Sequence, residues 1–344
     1  MIRPSEAGDA PQLVALFQRS FGRSITEAHW EWKLRRLPSP VLNDWIALDD
    51  RKPVFHSGGI PVRYQFPDGQ TTAMVSVDTM TDPEYRRRGL LTQVAQRMYA
   101  SWRDGGVRFV IGLINDQWGS RAPALGWRPL FPLRWLVRPL RPSAILARRA
   151  RTPGQGGVDA LDTAWNWIWD RQRVDPGLRF RIVEHAGSEF DALWARCAEN
   201  TGLSIVRDSA WVRWRYLECP SFAYRILLAE RGGVPAGYTA YRVERGARST
   251  LGYIAEVVAT GANNTIMRML IRETVRRLRS EGAEVAATQA PPWTPYFRAL
   301  RRAGFLWSWG DFSVQLVPLD DSLPMALLRD PRSWTMWGGD YDSI

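Results

Sequence analysis

Residues 75–106 read VSVDTMTDPEYRRRGLLTQVAQRMYASWRDGG, and this stretch decides the fold. A β-like run ends near Thr81. Pro83 opens a loop through Arg86, Arg87 and Arg88 to Gly89, and a long helix runs from Leu90 through Arg103. Asp104, Gly105 and Gly106 stop that helix. VRFVIGLI follows at 107–114, and its continuous apolar run predicts a buried strand. A loop between a strand and a helix leaves several backbone N–H groups without helical partners, and the helix dipole adds positive potential there. Such a turn is a natural cradle for a diphosphate. Gly89 allows close backbone approach or a positive φ. The three arginines offer further charge to phosphate oxygens.

Working outward, residues 10–20 carry helical spacing and residues 27–37 predict a second helix. IALDD and PVFHSGGIPVRYQF, separated by Asp49 to Lys52, read as an antiparallel hairpin, and TTAMVSVDTMT as a third β run. The same order recurs later in the chain. An offset of 182 residues sets Trp32 on Trp214, Lys33 on Arg215, Pro38 on Pro220, Ser39 on Ser221, Ala47 on Ala229 and Pro53 on Pro235. Gly106 and Gly282 each close a helix ahead of a β run, and Gly126-Trp127 and Gly304-Phe305 end both units alike. Two copies of one α/β unit follow, each a mixed, mostly antiparallel sheet flanked by helices. The boundaries expected are 1–140, a basic and Trp-rich linker at 141–178 that includes a short helix in TAWNWIWDRQRV, a second copy at 179–318, and a tail at 319–344.

Composition removes several classes of function. Hydrophobic residues are 45% and charged residues 24% of 344, as in a soluble globular protein of two ordinary domains. Cys197 and Cys219 are too few for a disulfide framework or a four-cysteine zinc site, and His29, His56 and His185 lack ligand spacing, so no metal is expected. No run of eighteen apolar residues crosses a membrane, and MIRPSEAGDA has no apolar core of a secretory signal, so the expected compartment is the cytoplasm. The net charge is +11, yet lysine occurs only at Lys33 and Lys52 among 46 basic residues. From Gln117 to Val158 there are eight arginines and no acid. That stretch suits an anionic partner or serves as a solvated connector.

The segment PEYRRRGLL at 83–91 resembles the Arg/Gln-x-x-Gly-x-Gly/Ala motif of the GNAT superfamily of acyl-CoA-dependent N-acetyltransferases, with Leu91 in place of the last small residue. With WEWK, SGGIPVR and the RGLL ending, the chain is similar to the tandem, Eis-type branch of that superfamily. The resemblance is good over about 1–130 and holds in outline over 179–317. It implies tandem GNAT-like domains and direct attack of an amine on the thioester of acetyl-CoA. The acceptor would be an amine-bearing small molecule or amino sugar. It implies CoA contacts from Thr79, Met80 and Thr81 on the strand, Arg86, Arg87, Arg88, Gly89, Leu90, Leu91 and Thr92 on the loop and helix, and Asn115 beyond the next strand. One backbone N–H at Thr79 to Thr81 would stabilise the developing oxyanion. Leu91 would narrow the diphosphate site.

For a base, Asp78 is the first candidate, because an acid among Val75, Val77 and Met80 is partly desolvated and readier to hold a proton. His56 is the second, on the suitability of imidazole. Against both stand the ordinary roles of a paired acid and a hydrogen-bonding histidine. No tyrosine lies between Gly112 and Trp127 to serve as acid, and Ser120 is the nearby hydroxyl. Trp30, Trp32, Trp211 and Trp214 are expected in the core; Trp118, Trp293, Trp307 and Trp309 are candidates for an acceptor cleft. GANNTIMRM in the second copy has no arginine followed three residues on by glycine, leaving Asn263 and Asn264 to cap its helix, so that copy is expected to shape the acceptor site or the assembly without binding CoA. Two other readings remain. One is a Fem-type aminoacyl transferase using charged tRNA, although nucleic acid is the less expected partner; the other is a non-catalytic CoA-binding module.

Overall fold

In the first half, strands β1 (Ile2–Pro4), β2 (Asp44–Asp49), β3 (Lys52–Phe66), β4 (Gly69–Thr81) and β5 (Val107–Ile114) lie side by side in chain order. Helices α1 (Ala10–Phe21) and α2 (Glu27–Leu34) pack on one face of them, where Leu13, Phe17 and Trp30 join Ile60, Val62 and Val75 in the main core. Helix α3 (Leu90–Asp104) covers the other face through Met98, Tyr99 and Trp102. The structure is a computed structural model that describes residues 1–36, 43–114, 121–150, 158–170, 175–247, 249–261 and 264–341. The expected second helix ends at Leu34, short of Leu37, and Pro38 and Ser39 of the repeat lie outside the described residues.

The second half repeats the order. It holds β7 (Leu178–Val183), α6 (Ser188–Cys197), the two-residue β8 (Ser204–Ile205), α7 (Ser209–Val212), β9 (Arg225–Arg231), β10 (Val234–Arg245), β11 (Thr250–Ala259), α8 (Thr265–Ser280) and β12 (Val285–Ala290). All neighbouring strands pair antiparallel except β4 with β5 and β11 with β12. The glycines expected to close a helix ahead of a β run both prove left-handed, with φ of 81° at Gly106 and 91° at Gly282.

The halves join by exchanging their last strands. Strand β6 (Arg128–Pro139) belongs in sequence to the first half, but it pairs with β12 of the second. Strand β13 (Leu306–Pro318) belongs to the second half and pairs with β5 of the first. β6 and β13 also pair with each other, so the order β1-β2-β3-β4-β5-β13-β6-β12-β11-β10-β9-β7 forms one sheet, with β8 attached to β3. The indoles of Trp32 and Trp214 stack at 5.1 Å, and each Nε1 donates to the other's carbonyl, at 2.8 and 3.1 Å. A reciprocal contact between residues 182 apart is what an internal two-fold relation requires.

The linker is more ordered than its composition suggests. Helices α4 (Pro142–Ala150) and α5 (Val158–Asp170) lie beyond β6. The guanidinium of Arg138, 1% exposed, donates to Ala303 O, Asn166 and Asp170, and Arg148 pairs with Glu284. Part of the basic stretch is thereby neutralised within the protein. The tail returns to the middle of the molecule: Trp334 is buried among Tyr64, Phe109 and Phe131, and Trp337 Nε1 donates to Val257 O at 3.0 Å. Gly338 and Gly339 follow because a side chain there would run into the hydroxyls of Tyr253 and Tyr216. After α9 (Pro295–Arg302) and β13, the last helix, α10 (Met325–Arg329), is a single short turn ahead of this tail.

Candidate functional site

Strands β4 and β5 pair from Thr72↔Val107 to Val75↔Ile111, with a register shift between Thr72 and Ala73, and there the pairing stops. Beyond it β4 stays bonded to β3 as far as Phe55↔Thr81, while β5 stays bonded to β13 as far as Ser313↔Ile114. Two parallel strands held apart by their outer partners leave a wedge, with the backbone of residues 76–81 along one side. The cause is visible in β4. Asp78 and Thr79 together oppose Ser57, and Asp78 has a φ of 47°, a left-handed residue that kinks the strand. Thr79 is fixed there by a 2.8 Å hydrogen bond between its hydroxyl and that of Ser57.

The loop at the end of β4 is held from behind. The Asp82 carboxylate, 2% exposed, accepts from Glu84 N at 3.3 Å and from Arg19 at 3.1 Å. Burial alone would raise that carboxyl, but these hydrogen bonds and the charges of Lys52 and Arg19 hold it below the usual value. The Tyr85 hydroxyl donates to Asp49, and the Arg88 guanidinium lies 4.4 Å over the Tyr85 ring. Arg87 (φ 65°) and Gly89 (φ 72°) are both left-handed, so the chain coils tightly just ahead of α3. Gly89 is the N-cap, and no side chain satisfies the first-turn N–H groups. Arg86 and Arg87 are exposed and take no side-chain partner among the described residues. Gly89 is needed for its φ, since a Cβ there would meet nothing nearer than Gln93 at 3.8 Å. Leu90 and Leu91 pack against the Ala47, Val54, Phe55 and Val94 cluster. The Leu91 side chain, half-buried, thus has an apolar surface to pack on. Thr92 is exposed in the first turn of the helix. Met80 is buried under the sheet, and Thr81 O accepts from Ser20 at 3.3 Å.

The two candidate bases stand close together, each already engaged. Asp78 pairs with Lys33, a lysine only 1% exposed on α2. The apolar run around Asp78 thus brings its own cation. His56 is fully buried; Nδ1 lies 2.9 Å from Asp78 O and Nε2 3.2 Å from the Asp44 carboxylate, so both nitrogens face oxygen acceptors. Burial pushes the Asp44 carboxyl up, but His56 and Arg35 more than offset it and hold it at about 2. Asn115 and Ser120, with Trp118, lie outside the described residues. Trp30, Trp32, Trp211 and Trp214 are all in the core, as expected. Trp293 donates to Trp334 O, and Trp307 is exposed under Arg134, while the side chain of Trp309 also lies outside the described residues.

The structure adds an acid that the motif reading passed over. Where β4 and β5 part there is a void of about 10 Å³, room for roughly one water, walled by Val75, Ile111, Gly112, Met336, Asp340 and Tyr341. Asp340 also borders a second void of the same size beside Trp32 and Trp214. Its carboxylate pairs with Arg207 and accepts from Trp337 N at 3.0 Å. Full burial raises it, Arg207 opposes, Glu256 adds to the rise, and the result is about 6. Sequence spacing gave no hint of this, since Asp340 lies 262 positions from Asp78 and only the return of the tail brings it to the wedge.

Residues 1–113 match the family model described as acetyltransferase (GNAT) domain. The matched residues include α1 to β5, the wedge and the loop of Arg86 to Gly89, and the match ends before β6. The fold likeness is wider. A GCN5-related N-acetyltransferase from Anabaena variabilis ATCC 29413 superposes with a TM-score of 0.68 at 12% identity, over 93% of this chain and 73% of that one. A conserved protein of unknown function from Enterococcus faecalis V583, described as a probable N-acyltransferase, gives 0.65 at 13%, with the same two coverages. No curated protein matches the chain. Among the described residues no group of three or more His, Cys, Asp or Glu is placed to hold a metal ion. No described helix is long and apolar enough to cross a membrane.

Proposed function

We propose that this protein is an N-acyltransferase that binds acetyl-CoA in its first half and transfers the acetyl group to the amine of a small molecule or amino sugar. One observation carries the reading: a parallel strand pair opens into a wedge, and its β4 arm leads into a left-handed turn at an uncapped helix N-terminus. The diphosphate of CoA would sit on the N–H groups around Gly89, with Arg86 and Arg87 free to meet it. The thioester arm would run into the wedge, where a backbone N–H of Thr79 to Thr81 would donate to the carbonyl oxygen as negative charge develops on it. The match of residues 1–113 to the GNAT domain model, and the fold likeness to a GCN5-related N-acetyltransferase and to a probable N-acyltransferase, support this assignment.

The acceptor amine must lose a proton before it attacks the thioester carbon, and the thiolate of CoA then leaves. Asp340 is the base we assign. It borders the inner end of the wedge, and a carboxyl held near 6 accepts a proton at neutral pH while remaining basic enough to be useful. Asp78, tied to Lys33, and His56, tied to Asp44, then position the kinked strand. We also propose that the chain is a tandem of two such domains, 1–140 and 179–318, joined by 141–178 and followed by the tail at 319–344, as in the Eis-type branch.

Thiol release from acetyl-CoA over aminoglycosides, amino sugars, polyamines and peptides tests the activity. The Arg86→Ala/Gly89→Glu double variant should lose acetyl-CoA binding in calorimetry, and unchanged binding ends the reading. With an acceptor in hand, Asp340→Asn should lower kcat/KM by about a hundredfold and remove its acid limb near pH 6. If Asp78→Asn removes that limb instead, the proton goes to Asp78.

A further inference from the structure

A second cavity lies in the other half of the molecule. It measures about 250 Å³ and lies where β11 and β12 part beyond Tyr253↔Ala287, the counterpart of the wedge between β4 and β5. Val257, Val258, Met267, Cys197 and Trp337 give it an apolar wall. Asn200, Thr201 and Thr335 make its rim polar without charge, and Arg196 is the one charged side chain among the described lining residues. Asn264 stands at the start of α8 with a φ of 54° and no side-chain cap, so the first N–H groups of a 16-residue helix are without helical partners beside the cavity. An apolar body with one anionic head matches this lining, because nothing in it repels an anion and both Arg196 and the helix dipole attract one.

The same lining lacks what a reacting thioester would need. Behind the cavity, Trp337 Nε1 donates to Val257 O at 3.0 Å, Thr288 Oγ1 donates to Ile254 O at 2.8 Å, and the hydroxyls of Tyr296 and Thr288 bond at 2.7 Å, so these side chains are engaged with one another and with the backbone. The Cys197 thiol faces the cavity but burial pushes it up to about 11, which leaves it a poor nucleophile. The lead-in to α8 is also shorter than that of α3, residues 260–263 against 82–88, and it carries no arginine. A nucleotide diphosphate therefore lacks its cradle here. We propose that the cavity at the end of β11, beside the start of α8, is a binding site for a small amphiphile with one anionic head, a carboxylate or a phosphate monoester, on an apolar body of about a dozen non-hydrogen atoms, held without reaction. The proposal is independent of the acyltransferase reading.

Calorimetric titration of the full chain with octanoate tests it, with octanol, octyl phosphate and CoA as the other arms. Octanoate and octyl phosphate should bind, with their ratio telling which head is preferred, and octanol should bind about tenfold more weakly. Met267→Trp should abolish octanoate binding by filling the cavity, with circular dichroism confirming the fold. Asn200→Glu, an exposed rim change with little cost to folding, should weaken octanoate about tenfold and leave octanol unchanged. The CoA arm separates this claim from the other one: CoA binding should survive Met267→Trp. No octanoate binding, octanol binding as tightly, or octanoate affinity untouched by both variants would overturn the proposal. CoA binding lost in Met267→Trp but kept in Arg86→Ala/Gly89→Glu would overturn it too.

Discussion

Asp44 and Asp340 show how one residue type takes opposite roles in one protein. Asp44 accepts from Ser5, from Arg35 at 2.7 Å and from His56 at 3.2 Å, and is held at about 2. A carboxyl depressed in the folded state stabilises the fold above its unfolded value near 3.9, and that stability is lost as pH falls toward 2. Asp44→Asn should therefore cost roughly 2–4 kcal/mol at pH 7, and the difference from the parent should shrink in urea melts taken at pH 3 and below. Asp340 has the reverse sign. Its folded value of about 6 lies above the unfolded one, so its stabilising contribution is complete below about pH 4 and fades as pH rises through 6. Nothing near Asp44 or Asp340 in sequence announces either environment. Asp78 was legible as a buried acid on an apolar strand, but its partner Lys33 sits 45 positions away on a helix, and side-chain pairing across elements is not written in periodicity.

At the level of elements, the loop from Asp82 to Gly89 was readable because its demands are local. A proline, a helix-starting glycine and an apolar strand fix its course, and Gly89 does adopt the left-handed φ. Gly89→Ala should destabilise by about 1 kcal/mol through that φ alone, since the space for a methyl is open. Guanidinium chloride melts would show it, and a neutral result would mean that the turn relaxes. The exchange of β6 and β13 was not readable. Either strand, alternating and partly apolar, satisfies the register of its own half as well as that of the other, so a choice between them depends on the whole sheet. The basic stretch from 117 to 158 misled in a milder way. Its arginines suited an anionic partner or a solvated connector, yet Arg138 locks α5 to β6 and is spent on packing. Arg138→Ala should cost about 1–3 kcal/mol in urea melts, from the lost hydrogen bonds to Ala303 O and Asn166, because Asp170 keeps Arg279 at 3.1 Å.

For the whole molecule, the 182-residue offset was the strongest long-range signal in the sequence, and the stacked Trp32 and Trp214 are its physical counterpart. Each indole is nearly buried and bonded to the other's backbone. Trp32→Ala and Trp214→Ala should each cost about 3–5 kcal/mol, and the double variant should cost less than their sum by about 1 kcal/mol or more, measured by a double-mutant cycle. Additive losses would mean that the tryptophans serve their own halves separately.

The crossed strands carry a topological consequence. Each half donates its final ribbon to the centre of its neighbour, so neither can complete its hydrogen-bond ladder without the other. If the polypeptide is supplied as two pieces, 1–150 and 158–344, neither should fold alone. Mixed, they should clasp into a complex that resists dilution and comes apart only on denaturation, as with a dimer whose subunits happen to share one gene.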